Sequence, residues 1–451
     1  MNELIFKEYD IRGIFKEDFS EDLVKKIGYY VGLEIKKIED SVCIGFDCRT
    51  HSIDCFKWLV SGLNKANLKV INLGEVPTPV TYFSGYHKDT QCTSNIMITA
   101  SHNPKEYNGF KMTIDNKSFF GKDIKNLKDQ VINSTIEIED NYNCEKFDIT
   151  TPYIKMIVDK FQNLKNYKKE FIIDCGNGMS GPTIKQICAK LNLNYKLMYE
   201  KPDGDFPNHP ADPSVRENLD HLIDELNKDD CELGFAHDGD SDRVYACLKS
   251  GPINPDILGI LLAKTIENPK VIGEVKCSKV MYDTIDKLGS TIMTKTGHSN
   301  IKNVIRENPD TSFAIELSGH IFFKDKYFGY DDAIYSTFRI LELEANGMDF
   351  EKEIEKLPKV YSTNEEKVKV DESIKFDIVN KFIEKVKQNK QELNYTDLIE
   401  IDGLRINFEN GWGLVRASNT SPVLVTRFEA NTQEELENIK TKILNILNQI
   451  I

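Results

Sequence analysis

The stretch "ITASHNPKEYNGFK", residues 98–111, begins at the end of a short apolar run and continues into a polar loop. The apolar run, residues 95–98, has the length and composition of a buried strand. The loop that follows contains Ser101 and His102, whose side chains could serve chemistry or simply form a turn, and the dipeptide Asn103-Pro104 is itself a turn signal. Ser101 at the end of this strand is therefore the first candidate for a reactive residue.

The same arrangement of strand and helix occurs three times along the chain. Short apolar strands are predicted at residues 42–45, 171–174 and 271–275. Each is followed by apolar residues at helical spacing, namely Phe56, Leu59, Val60 and Leu63, then Ile184, Ile187, Cys188 and Leu191, then Met281, Thr284, Ile285 and Leu288. Repeated strand–helix units predict α/β domains with mostly parallel sheets.

Each unit then ends a second predicted strand in a polar loop. The three loops are TASHNP (99–104), HDGDSDR (237–243) and ELSGH (316–320). In open α/β sheets, ligand-binding loops lie at the carboxyl ends of the strands. The three loops are therefore expected to face one central active-site cleft.

The last ninety residues follow a different pattern. Asp402-Gly403 and Asn410-Gly411 are typical of hairpin turns between strands. Thr432 and Glu435 have the spacing of a helix N-terminal capping box. Leu436, Ile439, Ile443, Ile446 and Ile450 mark an amphipathic helix after it. The charged stretch 357–369 is interpreted as the linker to this small α+β domain.

The predicted fold is therefore three similar mixed α/β domains and a C-terminal α+β domain around a central cleft. The predicted domain bounds are 1–145, with the serine loop, 146–248, with the acidic loop, 249–360, with the ELSGH loop, and 361–451.

Composition excludes several classes of protein. The 451 residues carry a net charge of -14, which would repel the phosphate backbone of nucleic acids. No apolar stretch reaches the length of a membrane span, and the N-terminus lacks an apolar signal core. The ten cysteines include no CxxC pair, which favours free thiols in a reducing compartment. We expect a cytoplasmic protein, a monomer, that binds neither nucleic acid nor membrane.

The loop HDGDSDR predicts a metal site. Asp238, Asp240 and Asp242 alternate in a tight loop that contains glycine, and such carboxylates can converge on one hard cation. An EF-hand is excluded, because Arg243 stands where that loop requires glycine. Mg²⁺ fits better than Ca²⁺, since three carboxylates leave coordination positions for a phosphate oxygen. The alternative is a solvated acidic turn.

Other motifs carry little information when each is considered alone. A triad with Ser101 would need a base, but adjacent side chains such as His102 usually point apart, and there is no G-x-S-x-G elbow. Alone, TASHNP and RASNTSP (416–422) are better interpreted as turns and ELSGH as a loop. Lys111 alone is best interpreted as an exposed lysine in a strand.

Taken together, the motifs resemble one family from end to end. They are YDIRG (9–13), TASHNPKEYNGFK (99–111), FPNHPADP (206–213), DGDSDR (238–243), VKC (275–277), KTGH (295–298), ELSGHIFF (316–323) and RASNTSP. With them the chain resembles the alpha-D-phosphohexomutases, and within these the bacterial phosphomannomutase/phosphoglucomutase enzymes.

The resemblance implies an isomerase that carries phosphate on Ser101. The phosphoserine gives its phosphoryl group to a hexose monophosphate, a hexose 1,6-bisphosphate forms and reorients, and the other phosphate returns to Ser101. The implied substrates are the 1- and 6-phosphates of mannose and glucose. The implied cofactors are Mg²⁺, held by the three aspartates with Ser101 as a further ligand, and glucose 1,6-bisphosphate as activator and intermediate.

The resemblance also implies roles for further residues. Lys111, Arg12 and His320 surround the proton transfer, with Lys111 favoured for that step and His320 as a sugar contact or a partner acid–base group. Arg243, beside the metal loop, would neutralise charge on the transferring phosphate. The remaining substrate-binding residues are Tyr9, Lys276, Thr296, Gly297, His298, Glu316, Ser318, Arg416, Ser418, Asn419 and Thr420, the last four being the distal phosphate grip.

The sequence departs from the family pattern at two places and leaves three alternatives open. Leu317 stands where methionine is common, a volume-conserving change, and the run after FPNH differs. A phosphoglucosamine mutase is one alternative, although those enzymes tend to carry Gln in place of Leu317. A metal-dependent serine phosphatase and a catalytically silent sugar-phosphate-binding protein are the others.

Overall fold

The computed structural model describes residues 3–228, 231–419 and 421–451, without the side chain of Asn166. The chain divides into two compact units. The first comprises the described residues up to Pro255 together with Ile305–Pro309 and Ser318–Met348. The second comprises Asp256–Val304, Asp310–Leu317 and the described residues from Asp349 to the end.

Strands and helices alternate through most of the chain. The strands are β1 (Ile11–Ile14), β2 (Ser41–Phe46), β3 (Lys69–Glu75), β4 (Asn95–Ile98), β5 (Tyr107–Ile114), β6 (Lys117–Ser118), β7 (Glu145–Lys146), β8 (Phe171–Asp174), β9 (Tyr195–Met198), β10 (Gly234–His237), β11 (Val244–Leu248), β12 (Gly251–Pro252), β13 (Lys270–Glu274), β14 (Ser290–Thr294), β15 (Phe313–Ile315), β16 (Ile321–Phe323), β17 (Tyr361–Ser362), β18 (Glu366–Lys369), β19 (Asp397–Ile399), β20 (Leu404–Phe408), β21 (Gly411–Ala417) and β22 (Val423–Ala430). The α-helices are α1 (Glu21–Lys36), α2 (Ser52–Lys65), α3 (Thr78–Ser84), α4 (Lys122–Ile132), α5 (Thr150–Lys160), α6 (Ser180–Leu191), α7 (Asp220–Lys228), α8 (Pro255–Ala263), α9 (Lys279–Ile285), α10 (His298–Glu307), α11 (Ala333–Ala345), α12 (Phe350–Glu355), α13 (Lys375–Gln388), α14 (Lys390–Leu393) and α15 (Gln433–Asn448).

Two mixed sheets form the first unit. The first has the order β1-β5-β4-β2-β3-β7, and the second has the order β12-β11-β10-β8-β9. In each sheet the strand before a polar loop, β4 or β10, pairs in parallel with a central strand, and the chain then returns antiparallel as β5 or β11. The serine loop and the acidic loop therefore both follow the carboxyl end of a parallel strand, as predicted.

The helices pack through the apolar faces that the sequence indicates. All four apolar residues of the first predicted stripe, on α2, and all four of the second, on α6, are buried. The third stripe was predicted one turn too long, because α9 ends at Ile285 and Leu288 lies beyond it, 39% exposed. Gly289 follows directly, and the Ser290 amide donates a 2.9 Å hydrogen bond to the Pro269 carbonyl as the chain enters β14.

The second unit contains a parallel set of strands, in the order β14-β13-β15, and the C-terminal sheet, in the order β17-β22-β21-β20-β19. The C-terminal strands from β19 to β22 are antiparallel, with turns at both predicted hairpins. Thr432 caps α15 by accepting a hydrogen bond from the Glu435 amide. These sheets and helices confirm the predicted fold class.

The linker prediction for residues 357–369 is wrong in its second half. β18 pairs antiparallel with β22, and β17 pairs with the end of the same strand. The charged side chains of β18 alternate with Val368, which packs against the C-terminal core, so the segment is a half-exposed edge strand. In the part of the chain that the structure describes, no helix is long and apolar enough to cross a membrane.

Candidate active site

Ser101 lies directly after β4 in a conformation that few residues adopt. Its φ angle is 52°, in the left-handed region, where a side chain such as serine is held only by surrounding contacts. Its amide donates a hydrogen bond of 2.8 Å to the Thr99 hydroxyl. Its own hydroxyl lies 2.7 Å from Asp238 Oδ2 and 3.2 Å from His102 Nδ1. The expectation that Ser101 and His102 point apart is therefore wrong, because the left-handed turn brings them onto one side.

Arg49 holds the serine loop from behind. Its guanidinium donates hydrogen bonds to the carbonyl oxygens of Ser101 (3.0 Å), Asn103 (2.7 Å) and Pro104 (2.6 Å). Its Nε lies 3.1 Å from Asp47 Oδ2, and the Arg49 side chain is fully buried. Four of the five N–H donors of this buried arginine are therefore used, and they hold the backbone of the loop that carries Ser101 in place.

The acidic loop joins β10 to β11. All three of its carboxylates, on Asp238, Asp240 and Asp242, are completely buried, which excludes a solvated acidic turn. Asp238 Oδ1 accepts hydrogen bonds of 3.1 Å from two amides of its own loop. Ser241 has a φ angle of 67°, so this loop also stores backbone strain.

Lys111, on β5, lies between two of these carboxylates. Its Nζ is 2.6 Å from Asp240 Oδ2 and 2.5 Å from Asp242 Oδ2, and its side chain is 5% exposed. The interpretation of Lys111 as an exposed strand lysine is therefore wrong. Burial alone would lower the pKa of Lys111, but the charges of the aspartates outweigh burial and raise it. The aspartates therefore favour the charged form of Lys111, which can bind an anion.

The surroundings of the three aspartates shift their pKa values in different directions. Burial, and then the neighbouring charges of Asp240 and Asp242, raise the pKa of Asp238 well above its ordinary value. Burial would do the same for Asp240, but the charge and hydrogen bond of Lys111 lower its pKa instead. One carboxylate oxygen of Asp240 and one of Asp242 are buried without a hydrogen-bond partner among the described residues.

This arrangement fits a divalent cation. One oxygen from each aspartate lies within 4.8 Å of the others, as the ligands of a single ion do. Buried carboxylate oxygens without a donor are costly unless a cation compensates them. The donors are all oxygens, which suits a hard cation such as Mg²⁺. The chain therefore contains a candidate metal site, with the Ser101 hydroxyl beside it.

Arg243 and His320 extend the site from the acidic loop to the segment before β16. Arg243 Nε donates a 3.0 Å hydrogen bond to His320 Nε2, and it lies 3.9 Å from Asp238 Oδ2. His320 Nδ1 lies 2.9 Å from Asp331 Oδ2. Because Arg243 Nε donates to Nε2, that nitrogen acts as an acceptor. Asp242, His320 and Asp331 also offer ligand atoms within 4.8 Å of one another, so this set is a second candidate for holding a cation.

Arg12 and Tyr9 lie at the start of the first sheet. Arg12, on β1, donates a 2.6 Å hydrogen bond to Asn103 Oδ1 in the serine loop, and it forms an ion pair with Asp10. Tyr9 is half-buried in the bend before β1. Arg12 is therefore held beside the serine loop.

In the second unit, Lys276 follows β13 and is paired with carboxylates. Its Nζ lies 2.5 Å from Glu365 and 3.7 Å from Glu274. Burial alone would lower the pKa of Lys276, but these two charges raise it. Arg427 and Arg405 donate hydrogen bonds to backbone carbonyls of residues 275–277, so the C-terminal domain holds the loop that carries Lys276.

The KTGH loop and the phosphate-grip motif share a carboxylate in this unit. Asp402 Oδ2 accepts hydrogen bonds from the Thr296 amide (3.1 Å), from the Thr296 hydroxyl and from Arg416 Nε (2.9 Å). The amide of Gly297 donates a 3.1 Å hydrogen bond to Glu316 Oε1. The structure therefore brings Thr296, Gly297, Glu316 and Arg416 together.

The remaining predicted residues lie in the expected loops. His298 is the first residue of α10, and Ser318 precedes β16 in the first unit. Ser418 and Asn419 lie in the turn after β21, where the Ser418 hydroxyl accepts a 3.2 Å hydrogen bond from the Ser421 amide. Thr420 lies outside the described residues.

Sequence reasoning missed the residues that support the site. Arg49, Asp47, Asp331 and Asp402 lie outside the matched motifs. Arg49, Asp47 and Asp402 act through contacts with residues more than fifty positions away, and Asp331 acts through its contact with His320. The only local signal was at Asp402, where the Asp-Gly pair was interpreted as a turn. Burial of a charged side chain, which would have revealed the others, is visible only in the folded chain.

Gly239 allows the two loops to approach each other, and a substitution there tests the arrangement. A Cβ at Gly239 would lie 2.5 Å from the Ser101 carbonyl oxygen, so the backbone of one loop must move. We expect Gly239→Ala to lower kcat about 100-fold, the effect of a small misplacement of reacting groups. Gly259→Ala is the matched control, because its nearest neighbours would lie at ordinary distances of 3.4–3.7 Å. Activity of Gly239→Ala close to that of the control would contradict the close approach.

Comparison with known proteins gives a consistent answer along the whole chain. Residues 3–162, 151–251, 254–361 and 365–446 match the alpha/beta/alpha domains I, II and III and the C-terminal domain of the phosphoglucomutase/phosphomannomutase family. The chain is 38% identical to the phosphomannomutase/phosphoglucomutase of Pseudomonas aeruginosa over 99% of this chain and 96% of that one. It is 35% identical to the phosphoglucomutase of Neisseria gonorrhoeae, with coverage of 97% and 95%.

Solved structures agree with the sequence matches. The crystal structure of a phosphoglucomutase/phosphomannomutase family protein from Burkholderia thailandensis matches with a TM-score of 0.91 and 33% identity, covering 100% of this chain and 98% of that one. An N-acetylphosphoglucosamine mutase from Aspergillus fumigatus shares the fold, with a TM-score of 0.66 at 14% identity and coverage of 99% and 96%. The predicted resemblance is confirmed, and the chain belongs to the phosphoglucomutase/phosphomannomutase family of phosphohexomutases, isomerases that act by intramolecular phosphoryl transfer.

Proposed function

We propose that this enzyme interconverts the 1- and 6-phosphates of mannose and of glucose, with Ser101 as the phosphoryl carrier and hexose 1,6-bisphosphate as the intermediate. The observation that carries the proposal is the 2.7 Å hydrogen bond from the Ser101 hydroxyl to Asp238, inside a buried cluster of carboxylates. A serine beside three carboxylates is a poor nucleophile towards carbonyl groups but a suitable carrier of phosphate, since phosphoryl transfer depends on positioning and charge stabilisation.

We propose Mg²⁺ as the metal, with Asp238, Asp240 and Asp242 as its protein ligands and an oxygen on phosphorylated Ser101 as another. When bound there, Mg²⁺ would neutralise charge on the transferring phosphoryl group. One buried oxygen each of Asp240 and Asp242 accepts no hydrogen bond from the described residues, which supports this assignment. Glucose 1,6-bisphosphate is the proposed activator, since it can load an unphosphorylated Ser101.

The charged residues around Ser101 are proposed to transfer a proton, to neutralise phosphate charge and to orient their neighbours. Lys111 is proposed for proton transfer as a sugar hydroxyl attacks the phosphoryl group, and its position between two carboxylates of the acidic loop supports this role. Arg12 and Arg243 neutralise charge on the phosphate. One ring nitrogen of His320 accepts a hydrogen bond from Arg243, and the other lies close to Asp331. These contacts support a role for His320 in orienting Arg243 or a sugar hydroxyl beside Arg243.

The remaining residues are proposed to bind substrate. The Glu316 carboxylate accepts hydrogen bonds from sugar hydroxyls, and the Ser318 hydroxyl can accept or donate them. The KTGH loop and Lys276 orient the sugar. The residues proposed for the distal phosphate are Arg416, Ser418, Asn419 and Thr420, and Tyr9 completes the substrate set. Arginine with neutral hydroxyl and amide donors suits a phosphate dianion.

Several broader assignments accompany this function. We propose the four domain bounds as predicted from the sequence, and a monomer whose partner is its hexose phosphate substrate rather than nucleic acid or membrane. All ten cysteines are free thiols, which supports a cytoplasmic enzyme. The net charge of -14 supports the exclusion of nucleic acid, because its phosphate backbone would be repelled.

A rate panel tests the substrate assignment. With Mg²⁺ and a trace of glucose 1,6-bisphosphate, we expect comparable kcat/KM values for mannose 1-phosphate and glucose 1-phosphate, and a much lower value for glucosamine 1-phosphate. A preference for glucosamine 1-phosphate would replace the proposed substrates while leaving the phosphoserine reaction in place. Release of inorganic phosphate instead of isomer would identify a phosphatase and contradict the proposal.

A further inference from the structure

Asp402 lies at the centre of a small polar junction in the second unit. One of its oxygens, Oδ2, accepts from the amide and the hydroxyl of Thr296 and from Nε of Arg416. The Asp402 side chain is 13% exposed and that of Arg416 is 7% exposed. Hydrogen bonds to a shielded carboxylate are charge-assisted and therefore among the stronger ones in a protein.

The backbone brings Asp402 to this place through its neighbour. Gly403 has a φ angle of 73° and starts the turn into β20. A Cβ on Gly403 would lie 2.4 Å from the Val415 carbonyl oxygen and 2.6 Å from the Arg416 Cα. Only glycine permits this approach without displacement of β21, so the Asp-Gly turn is pressed directly against the backbone of Arg416.

The contact with Nε determines how Arg416 can bind. A guanidinium is planar, and its donors form a rigid fork. When a carboxylate accepts from Nε, the plane of the group and the direction of its two terminal nitrogens are set. An arginine that must meet a phosphate bidentately gains from such fixation, because less conformational freedom is lost when the ligand arrives.

The contacts with Thr296 reach the other binding element. Thr296 belongs to the KTGH loop, whose next residue, Gly297, donates from its amide to Glu316. The loop is thus held between two carboxylates, Asp402 on one side and Glu316 on the other. A shift of Asp402 would move both the arginine and the loop.

We propose that Asp402 is a positioning residue that couples the phosphate-binding Arg416 to the sugar-orienting KTGH loop. The inference rests on the proposed function, which assigns those two elements to the substrate. Asp402 itself touches neither sugar nor phosphate. It acts by presenting Arg416 and Thr296 in one fixed geometry.

The test compares Asp402→Ala, Asp402→Asn and the control Asp397→Ala, which removes an exposed carboxylate from the neighbouring strand β19 with the same change in charge. We expect Asp402→Ala to raise the KM for glucose 1-phosphate about 10-fold, because Arg416 and Thr296 both lose the carboxylate that fixes them before the substrate binds. The kcat at saturating substrate should change little. Asp402→Asn retains an acceptor oxygen and should restore part of the affinity, and the control should behave as wild type.

Further variants at Thr296 and Arg416 separate this inference from the proposed function. Thr296→Val removes one donor, and if Asp402 acts through it, the double variant with Asp402→Ala should be less impaired than the product of the two single effects.

If Arg416→Ala raises KM but Asp402→Ala does not, the coupling role is refuted and the phosphate grip stands. If Arg416→Ala leaves KM unchanged, the distal phosphate assignment itself fails. If Asp402→Ala and Asp402→Asn lower kcat to the same extent and also lower the melting temperature to the same extent, Asp402 has a purely structural role, and this would also overturn the inference.

Discussion

Ser101→Ala is expected to abolish turnover, with kcat lowered on the order of 10⁴-fold or more. The hydroxyl is the proposed acceptor and donor of the phosphoryl group. Binding of glucose 1-phosphate should remain measurable by calorimetry, because the substitution leaves the charged residues in place. Loss of one buried hydrogen bond to Asp238 should have only a small effect on folding.

The matched control is Ser336→Ala, at a buried serine of α11 whose hydroxyl has no hydrogen-bond partner among the described residues. It should retain full activity, which shows that loss of a buried serine is not harmful in itself. Residual activity of Ser101→Ala within tenfold of wild type would contradict the assignment of Ser101 as carrier.

The second large effect is expected at the acidic loop. Asp240→Asn should lower kcat about 10²- to 10³-fold at ordinary Mg²⁺ concentration, because a ligand charge is lost at the point where phosphate charge must be stabilised. It should also raise the Mg²⁺ concentration needed for half-maximal activity. Isothermal titration with Mg²⁺ and activity as a function of Mg²⁺ measure the two effects separately.

This substitution should not unfold the protein. Lys111 keeps its contact with Asp242 when Asp240 is neutral, and the asparagine oxygen can still accept a hydrogen bond from Lys111. The melting temperature of Asp240→Asn should therefore fall by only a few degrees, because one charge-assisted contact is weakened rather than lost. Asp159→Asn, at an exposed carboxylate of α5, is the control for the change in net charge. An unchanged Mg²⁺ requirement in Asp240→Asn would refute the metal site.

The sequence predicted those features that depend on local pattern. The helical spacing of Ile184, Ile187 and Leu191 and the turns at Asp402-Gly403 and Asn410-Gly411 follow from neighbouring residues alone, and they are confirmed. The position of the serine and acidic loops after parallel strands is also confirmed, because the rule for such sheets is general.

Features that depend on contacts between distant residues were predicted less well. Residues 366–369 are charged enough to suggest a linker, yet they form an edge strand because β22 offers them a partner. The sequence alone predicts an exposed side chain for Lys111, but the side chain is buried because two aspartates that follow a strand of another sheet compensate its charge. A lysine in a strand gives no local sign of such a partner.

The support of the site was missed for the same reason. Arg49 binds three carbonyl groups more than fifty residues away along the chain, and no motif marks it. His102 was dismissed because neighbouring side chains usually diverge, whereas the left-handed backbone at Ser101 brings its ring to within 3.2 Å of the serine hydroxyl. Such geometry follows from tertiary constraint and not from residue type.

The most direct test of the central claim is to locate the phosphate. The purified enzyme would be incubated with Mg²⁺ and glucose 1,6-bisphosphate labelled in its phosphate groups, then digested and mapped by mass spectrometry. The account predicts one labelled phosphoryl group, on Ser101, which excess unlabelled glucose 1-phosphate removes into hexose bisphosphate. Label on another residue, or label on Ser101 that the sugar phosphate cannot remove, would contradict it.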